Sequence, residues 1–151
     1  MSYEQLKLEN QLCFPFYAVS RLIIRAYQSD LDKIGITYPQ YLTLMILWEK
    51  DSVTVNDIAD KLILNTNTIT PLLKRMEAME LIKREQSKID QRKVIISLTE
   101  KGNNLQHEAS QIPLNLMTKL GINPAEVNLE EINKIKLQLN DLIALLKNKN
   151  V

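Results

Sequence analysis

Thr54-Val-Asn-Asp-Ile-Ala-Asp-Lys-Leu62, then Asn65-Thr-Asn-Thr-Ile-Thr-Pro-Leu-Leu-Lys-Arg-Met76, then Lys93-Val-Ile-Ile-Ser-Leu98: these three runs decide the fold. Thr54 and Asp57 stand at the spacing of a capping box, in which the threonine oxygen accepts from the third amide and the carboxylate reaches back. Ile58, Ala59 and Leu62 follow on one face of the helix so begun. A short turn through Ile63 and Leu64 leads to Asn65 or Thr66, either able to cap a second helix running to about Glu80. Its apolar residues Ile69, Leu72, Leu73 and Met76 recur at helical spacing and are expected to face inward. The outward arc then carries Asn67, Thr70, Pro71, Lys74 and, at its edge, Arg75. Such side chains suit base edges and phosphates in a major groove. Leu81 to Glu85 and Lys93 to Leu98 read as strands, joined by the charged loop Gln86 to Arg92. Two helices, a tight turn and a hairpin make a winged helix-turn-helix.

A packing unit whose polar arc is merely solvated has the same pattern, so charge is the second test. Residues 65–93 carry seven Lys/Arg against four Asp/Glu, a balance of +3 in a chain whose total is +1. The remainder is therefore −2. A local basic excess on a near-neutral protein is the footprint of a phosphate-binding face.

Working outward, the chain of 151 residues fits one domain with a substantial core. Its reading head spans about residues 38–98, flanked by helices over about 5–34 and 99–148. The first helix is expected over Phe14 to Lys33, with Phe16, Val19, Ile23, Ala26 and Leu31 among its inward positions. Pro15 suits its first turn, which puts Cys13 at its N-terminal edge. Gly35 closes it, and Thr37-Tyr-Pro-Gln40 opens the next helix with another capping box, Leu42 to Trp48 forming its buried body. After the hairpin, Thr99 caps a helix with Leu105, Ala109, Ile112, Leu116 and Leu120 on one stripe, kinked at Pro113. Gly121 ends it. Asn123-Pro-Ala-Glu126 reads as the start of a final helix whose Ile132, Ile135, Leu139, Leu142 and Leu146 are spaced 3, 4, 3, 4. That stripe is either ordinary core or an interface. With both end helices so apolar and the reading head so small, a helical homodimer region is expected.

Several function classes drop out. A single cysteine excludes an intrachain disulfide framework and any Cys-based zinc site. His107 has no ligand pattern around it, so no metal, cofactor or Ser-His-Asp or Cys-His enzyme is expected. The apolar run Leu12 to Val19 is too short to span a bilayer and lacks a cleavage site, so a cytoplasmic protein with no membrane partner is expected.

Asn67-Thr-Ile-Thr-Pro-Leu-Leu-Lys-Arg-Met-Glu77, Asp90-Gln-Arg92 and Ile96-Ser-Leu-Thr-Glu-Lys-Gly102 resemble the MarR family of bacterial transcription regulators. Leu12-Cys-Phe-Pro-Phe-Tyr17 and Thr37-Tyr-Pro-Gln-Tyr-Leu42 resemble its organic-hydroperoxide-sensing (OhrR-type) branch. The likeness runs from about Asn10 to Gly102. The reading helix departs from it, starting Asn65-Thr-Asn67 where that branch has an Asp-Ser-Gly-like run, so an operator sequence does not carry over. The resemblance implies a homodimer on double-stranded DNA at a near-palindromic operator. Thr66, Asn67, Thr68 and Thr70 are then expected to bond bases or phosphates, and Lys74, Arg75 and Lys88 phosphates. Arg92 is expected in the minor groove, oriented by Asp90.

Cys13 is either a small core hydrophobe or a reactive thiol. The positive end of a helix favours negative charge, and the thiolate is the reactive form. Tyr17 lies one turn on. Tyr27 lies fourteen residues on, near the same angle but about 21 Å along the axis, so one straight helix cannot bring it to Cys13, whereas two antiparallel copies could. The OhrR-type resemblance implies this arrangement, two tyrosines of one subunit holding the other's cysteine. Leu12, Phe14 and Phe16 give the sulfur an apolar surround suited to organic hydroperoxides. With no second cysteine, the resemblance is to the one-cysteine type, in which a small cellular thiol caps the oxidised sulfur. The expected function is thus a redox-sensing DNA-binding repressor. Three readings compete: a regulator sensing a small aromatic ligand with Cys13 structural, a helical dimerisation or adaptor module without DNA binding, and, weakest, a thiol peroxidase.

Overall fold

The computed structural model describes residues 3–149. It divides into two compact units, Met1–Leu116 and Met117–Val151.

In the first unit, two short 3-10 turns precede α1 (Cys13–Lys33), so the helix starts one residue before the expected Phe14. Gly35, at φ +70°, turns the chain into α2 (Tyr38–Glu49), where the Thr37 amide donates to Gln40 Oε1 at 2.8 Å. The capping box at Thr54 is present with both bonds. Asp57 N donates to Thr54 Oγ1 at 3.1 Å and Thr54 N to Asp57 Oδ2 at 3.0 Å, opening α3 (Val55–Leu62). Asn65, rather than Thr66, caps α4 (Thr66–Ala78) by accepting from Thr68 N at 3.0 Å.

The sheet is larger than the expected hairpin. Strands β2 (Ile82–Gln86) and β3 (Val94–Leu98) pair antiparallel, and β1 (Val53–Thr54) adds to the far side of β3 through Val53↔Ile96. The order is β1-β3-β2. Two residues carry no strand signal by themselves, and β1 exists because β3 offers it an edge. Ile58, Ile69, Leu72, Leu73 and Met76 all lie buried with Leu31, Leu44, Leu47, Ile82 and Ile96 in one core, as their spacing requires.

Past the sheet, Thr99 caps α5 (Glu100–Ala109) by accepting from Gly102 N at 3.0 Å. Its first turn is pressed against the end of the reading head. Thr99 N donates to Leu81 O at 3.1 Å, Thr99 Oγ1 to Glu80 O at 2.6 Å, and Trp48 Nε1 to Gly102 O at 3.0 Å. Any Cβ at position 102 would run into the Leu81 carbonyl, so only glycine lets α5 come this close. The expected helix is interrupted before Pro113 rather than kinked at it. Helix α5 stops at Ala109 and α6 (Ile112–Lys119) begins anew with Pro113 in its first turn, where a missing amide proton is harmless.

In the second unit, Asn123 caps only a three-residue turn, Pro124–Glu126. The last helix, α7 (Leu129–Asn148), starts later than expected because Asn128 accepts from both Glu130 N and Glu131 N. Ile132, Ile135, Leu139 and Leu146 are exposed and Leu142 is half-buried, so in the single chain this stripe is not core. Phe16, Val19 and Ile23 of α1 are likewise exposed, against the expectation that they face inward. Only the C-terminal end of α1 is fully buried, at Asp30 and Leu31.

Ser52, Ile63 and Glu80 are non-glycine residues at positive φ, and the β-branched Ile63 is the most strained of them. It ends α3 in the left-handed region at φ 56°, where a Cβ crowds the following carbonyl, and its side chain is exposed. Ile63→Gly is expected to stabilise the chain by about 1 kcal/mol, read as a higher urea midpoint with unchanged slope. A lower midpoint would show that the exposed isoleucine makes contacts that outweigh its strain.

Candidate DNA-reading and redox sites

The outward face of α4 follows from its inward one. With Ile69, Leu72, Leu73 and Met76 buried, Thr66, Asn67, Thr68, Pro71, Lys74 and Arg75 are exposed and Thr70 is half-exposed. Two of these are already engaged. Thr68 Oγ1 donates to Asn65 Oδ1 at 3.0 Å, and Arg75 Nε donates to Pro71 O at 3.3 Å. The hydroxyl of Thr68 thus serves the cap before any ligand, whereas Asn67 and Lys74 project freely.

The wing tip is built by side chains accepting from the backbone. Ser87 Oγ accepts from the amides of Ile89 and Asp90, both at 3.3 Å, which turns the loop and leaves the Ile89 side chain 99% exposed. Asp90 Oδ1 then accepts from Arg92 N and Arg92 Nε, each at 3.2 Å. This is the orienting contact expected from the sequence. Arg92 is held at its root while its side chain stays 90% exposed. The same two bonds, side chain first and then backbone, hold the Asp90 carboxyl below its ordinary value, with a smaller contribution from Lys93. Lys88 is exposed beside them.

At the other end, Cys13 is the first residue of α1 and is exposed, with Leu12, Phe14 and Phe16 exposed around it. Tyr17 is exposed, its ring 6.0 Å from the Arg21 guanidinium carbon. The single chain does not bring Tyr27 to Cys13. Tyr27 packs at the buried end of α1 in an aromatic group with Tyr38, centroids 5.0 Å apart, and Tyr41, 6.0 Å. Burial pushes the Tyr27 phenol up from its ordinary value. Sequence reading set Tyr38 and Tyr41 aside, although their position at the start of α2 just after the Gly35 turn could have suggested the group. Among the described residues no cluster of His, Cys, Asp and Glu could hold a metal ion. No helix is long and apolar enough to cross a membrane.

A wing with an oriented arginine, a basic reading helix and one exposed cysteine can be set beside known proteins. The family model of the SarA/Rot transcriptional regulators matches residues 25–109. The organic hydroperoxide resistance transcriptional regulator of Bacillus subtilis (strain 168) is 45% identical over 148 residues, covering 98% of this chain and 97% of that one. The chain belongs to the MarR family. Within that family it falls in the organic-hydroperoxide branch, as its N-terminal motif suggested, and it is a transcriptional regulator rather than an enzyme. Reduced AbfR bound to DNA superposes with a TM-score of 0.78 at 37% identity, over 97% of this chain and 99% of that one. AbfR, from Staphylococcus epidermidis, is also known overoxidised on DNA and in a disulfide form. The MepR–DNA complex of S. aureus matches at TM-score 0.77 and 27% identity, over 90% and 98%. The winged fold of the MarR family regulators is therefore the fold of this chain.

In this MarR family regulator the Asp90–Arg92 contact has a consequence measurable without DNA. The Asp90 carboxyl is expected to titrate below its ordinary 3.8 in the intact chain and to move back toward it in Arg92→Ala. Carbon-detected NMR of the carboxyl through an acid titration reads both; identical titrations would mean that Arg92 is not held by Asp90 in solution.

Proposed function

We propose that this chain is a redox-responsive DNA-binding repressor, released from a near-palindromic operator when Cys13 is oxidised by an organic hydroperoxide. The observation that carries this is the position of Cys13. The chain's only cysteine lies exposed at the free end of α1, in an apolar surround, while the opposite end of the same helix is locked into the core of the reading head.

The protein acts as a homodimer in this reading, in keeping with the exposed apolar stripes of α1 and α7. One domain over residues 1–151 then contains a reading head of about 38–98 with dimerisation helices on either side. Two antiparallel copies of α1 place Tyr17 and Tyr27 of one near Cys13 of the other, each phenol donating to the sulfur. A two-fold dimer sets its reading helices about 34 Å apart, one turn of DNA. Thr66, Asn67, Thr68 and Thr70 face base edges or phosphates, Lys74, Arg75 and Lys88 face phosphates, and Arg92, aimed by Asp90, enters the minor groove. The protein works in the cytoplasm, beside the DNA.

The chemistry balances with two named reactants. The Cys13 sulfur attacks the peroxide's outer oxygen, the O–O bond breaks, and an alcohol leaves as a sulfenic acid forms. A small cellular thiol then displaces water to give a mixed disulfide. The bulkier sulfur no longer accepts both phenol hydrogen bonds where it sat, so α1 shifts and the spacing of the reading heads changes with it. A preference of about 3 kcal/mol for the DNA-incompetent state lowers affinity roughly a hundredfold.

One observation favours the ligand-sensing alternative. A mostly apolar pocket of about 780 Å³ lies in the first unit, lined among others by Ser20, Ile24, Tyr38, Leu42, Leu64 and Arg75. Cysteine replacement separates the two. Cys13→Ser is expected to bind promoter DNA nearly normally and to stay bound after cumene hydroperoxide, whereas the intact chain releases and dithiothreitol restores it, in a mobility-shift assay. Release of the Cys13→Ser variant by peroxide would make Cys13 structural and move sensing elsewhere. In the same assay Arg92→Ala is expected to lose roughly tenfold to hundredfold in affinity; unchanged affinity would remove the wing from the reading.

A further inference from the structure

Between the first turn of α3, the middle of α4 and the base of the wing lies a small cleft of about 200 Å³. Its polar lining is Thr54, Asn56, Thr70, Arg84, Arg92 and Lys93, three cations with no carboxylate among them. Neither Arg84 nor Lys93 faces DNA by the reading-helix logic, since both belong to the sheet and its loop. Arg84 sits on β2 opposite Ile96, and only a fifth of its side chain is exposed. Its Nη1 lies 3.4 Å from Glu77 Oε2, while its Nε is shut from solvent with no hydrogen-bond partner among the described residues. A buried guanidinium N–H without an acceptor is uncommon, and an absent anion is one standard reason for it. The Lys93 side chain makes no ion pair within 4.0 Å among the described residues, its charge acting at longer range on the Asp57 and Asp90 carboxylates.

Position supplies the anion. If α4 occupies a major groove and Arg92 the neighbouring minor groove, one DNA strand separates the two grooves and must cross between helix and wing. The cleft lies there, bounded by Thr70 of α4 on one side and Arg92 on the other. We infer that this cleft seats one backbone phosphate of that strand. Arg84 and Lys93 neutralise it, the Asn56 amide and Thr70 hydroxyl donate hydrogen bonds, and the seat fixes the distance between wing and reading helix. This rests on the DNA-binding reading above and adds two cations that the reading-helix arc does not contain. Such interactions set register and carry no base information.

The test is the salt dependence of binding to a fluorescein-labelled duplex of mixed sequence, followed by anisotropy. Removing a cation that neutralises one phosphate lowers the slope of log affinity against log salt by about one. Because the two cations share one phosphate, Arg84→Gln and Lys93→Gln are each expected to lower that slope by about a half, and the double variant to lower it by about one and weaken binding roughly tenfold at physiological salt. Glu77→Gln, which removes the ion-pair partner of Arg84 but keeps the cleft's charge, is expected to leave the slope intact. If Arg84 served only its pair with Glu77, Arg84→Gln and Glu77→Gln would weaken binding alike, both with the intact chain's slope. Should Arg84→Gln fail to fold, the exposed Lys93 still decides the matter. Intact slopes in both cation variants would overturn the phosphate seat while leaving DNA binding standing. No binding by the unaltered chain would remove the reading on which it rests.

Discussion

The rotational phase of α4 is the constraint on which the rest depends. Ile69, Leu73 and Met76 are completely buried and Leu72 nearly so, which pins one face of the helix to the core. A slip of one residue would turn the helix by about 100° and carry Asn67 and Lys74 away from the outward face. The wing is referenced to the same core through Ile82 and Ile96, buried on neighbouring strands. The first turn of α5 then closes the arrangement. Hydrogen bonds from Thr99 and Lys101 to the carbonyls of Glu80, Leu81 and Met79 tie it to the point where α4 passes into β2. Reading helix and wing are thus held in one frame by apolar packing and by these hydrogen bonds at its edge.

The sequence was most legible where structure is local. Both capping boxes, the apolar phase of α4 and the Asp90–Arg92 contact depend on residues two to four apart, and each is present. What could not be read depends on partners far along the chain. Strand β1 exists only through its pairing with β3, Val53 with Ile96 and Thr54 with Ile95, and the place of Arg84 beside α3 and α4 follows from sheet register. Competition between local signals was the other source of difference. Asn123 and Asn128 both cap, but Asn128 takes two amides and opens the longer helix. From spacing alone Pro113 suggests a bend in one helix, but the same missing hydrogen bond suffices to end it.

The apolar stripes of α1 and α7 mark the limit of reading inward from periodicity. Spacing of 3 and 4 says that a face will be covered, and not by what. Leu31 is covered by its own chain, whereas Phe16, Val19 and Ile23 on the same helix are not. A helix whose two ends have such different surroundings cannot be assigned to core from its spacing alone, and α1 divides at about Ala26 into an exposed stretch and one that packs on its own chain.

That division gives α1 the mechanics of a lever. Its fulcrum is the buried end at Leu31, and Cys13 lies eighteen residues away, about 27 Å along a helix rising 1.5 Å per residue. Displacing the free end by about 2 Å rotates the rod by only about 4°, which needs no bond in the core to break. Rotation at the fulcrum, unlike translation at the tip, passes undiminished to whatever is rigidly attached there, and the reading head is so attached. In the redox reading proposed above, a perturbation no larger than the bulk of one extra atom at Cys13 would be converted from a local displacement into an angle. An angle is what two heads spaced along a duplex are least able to absorb.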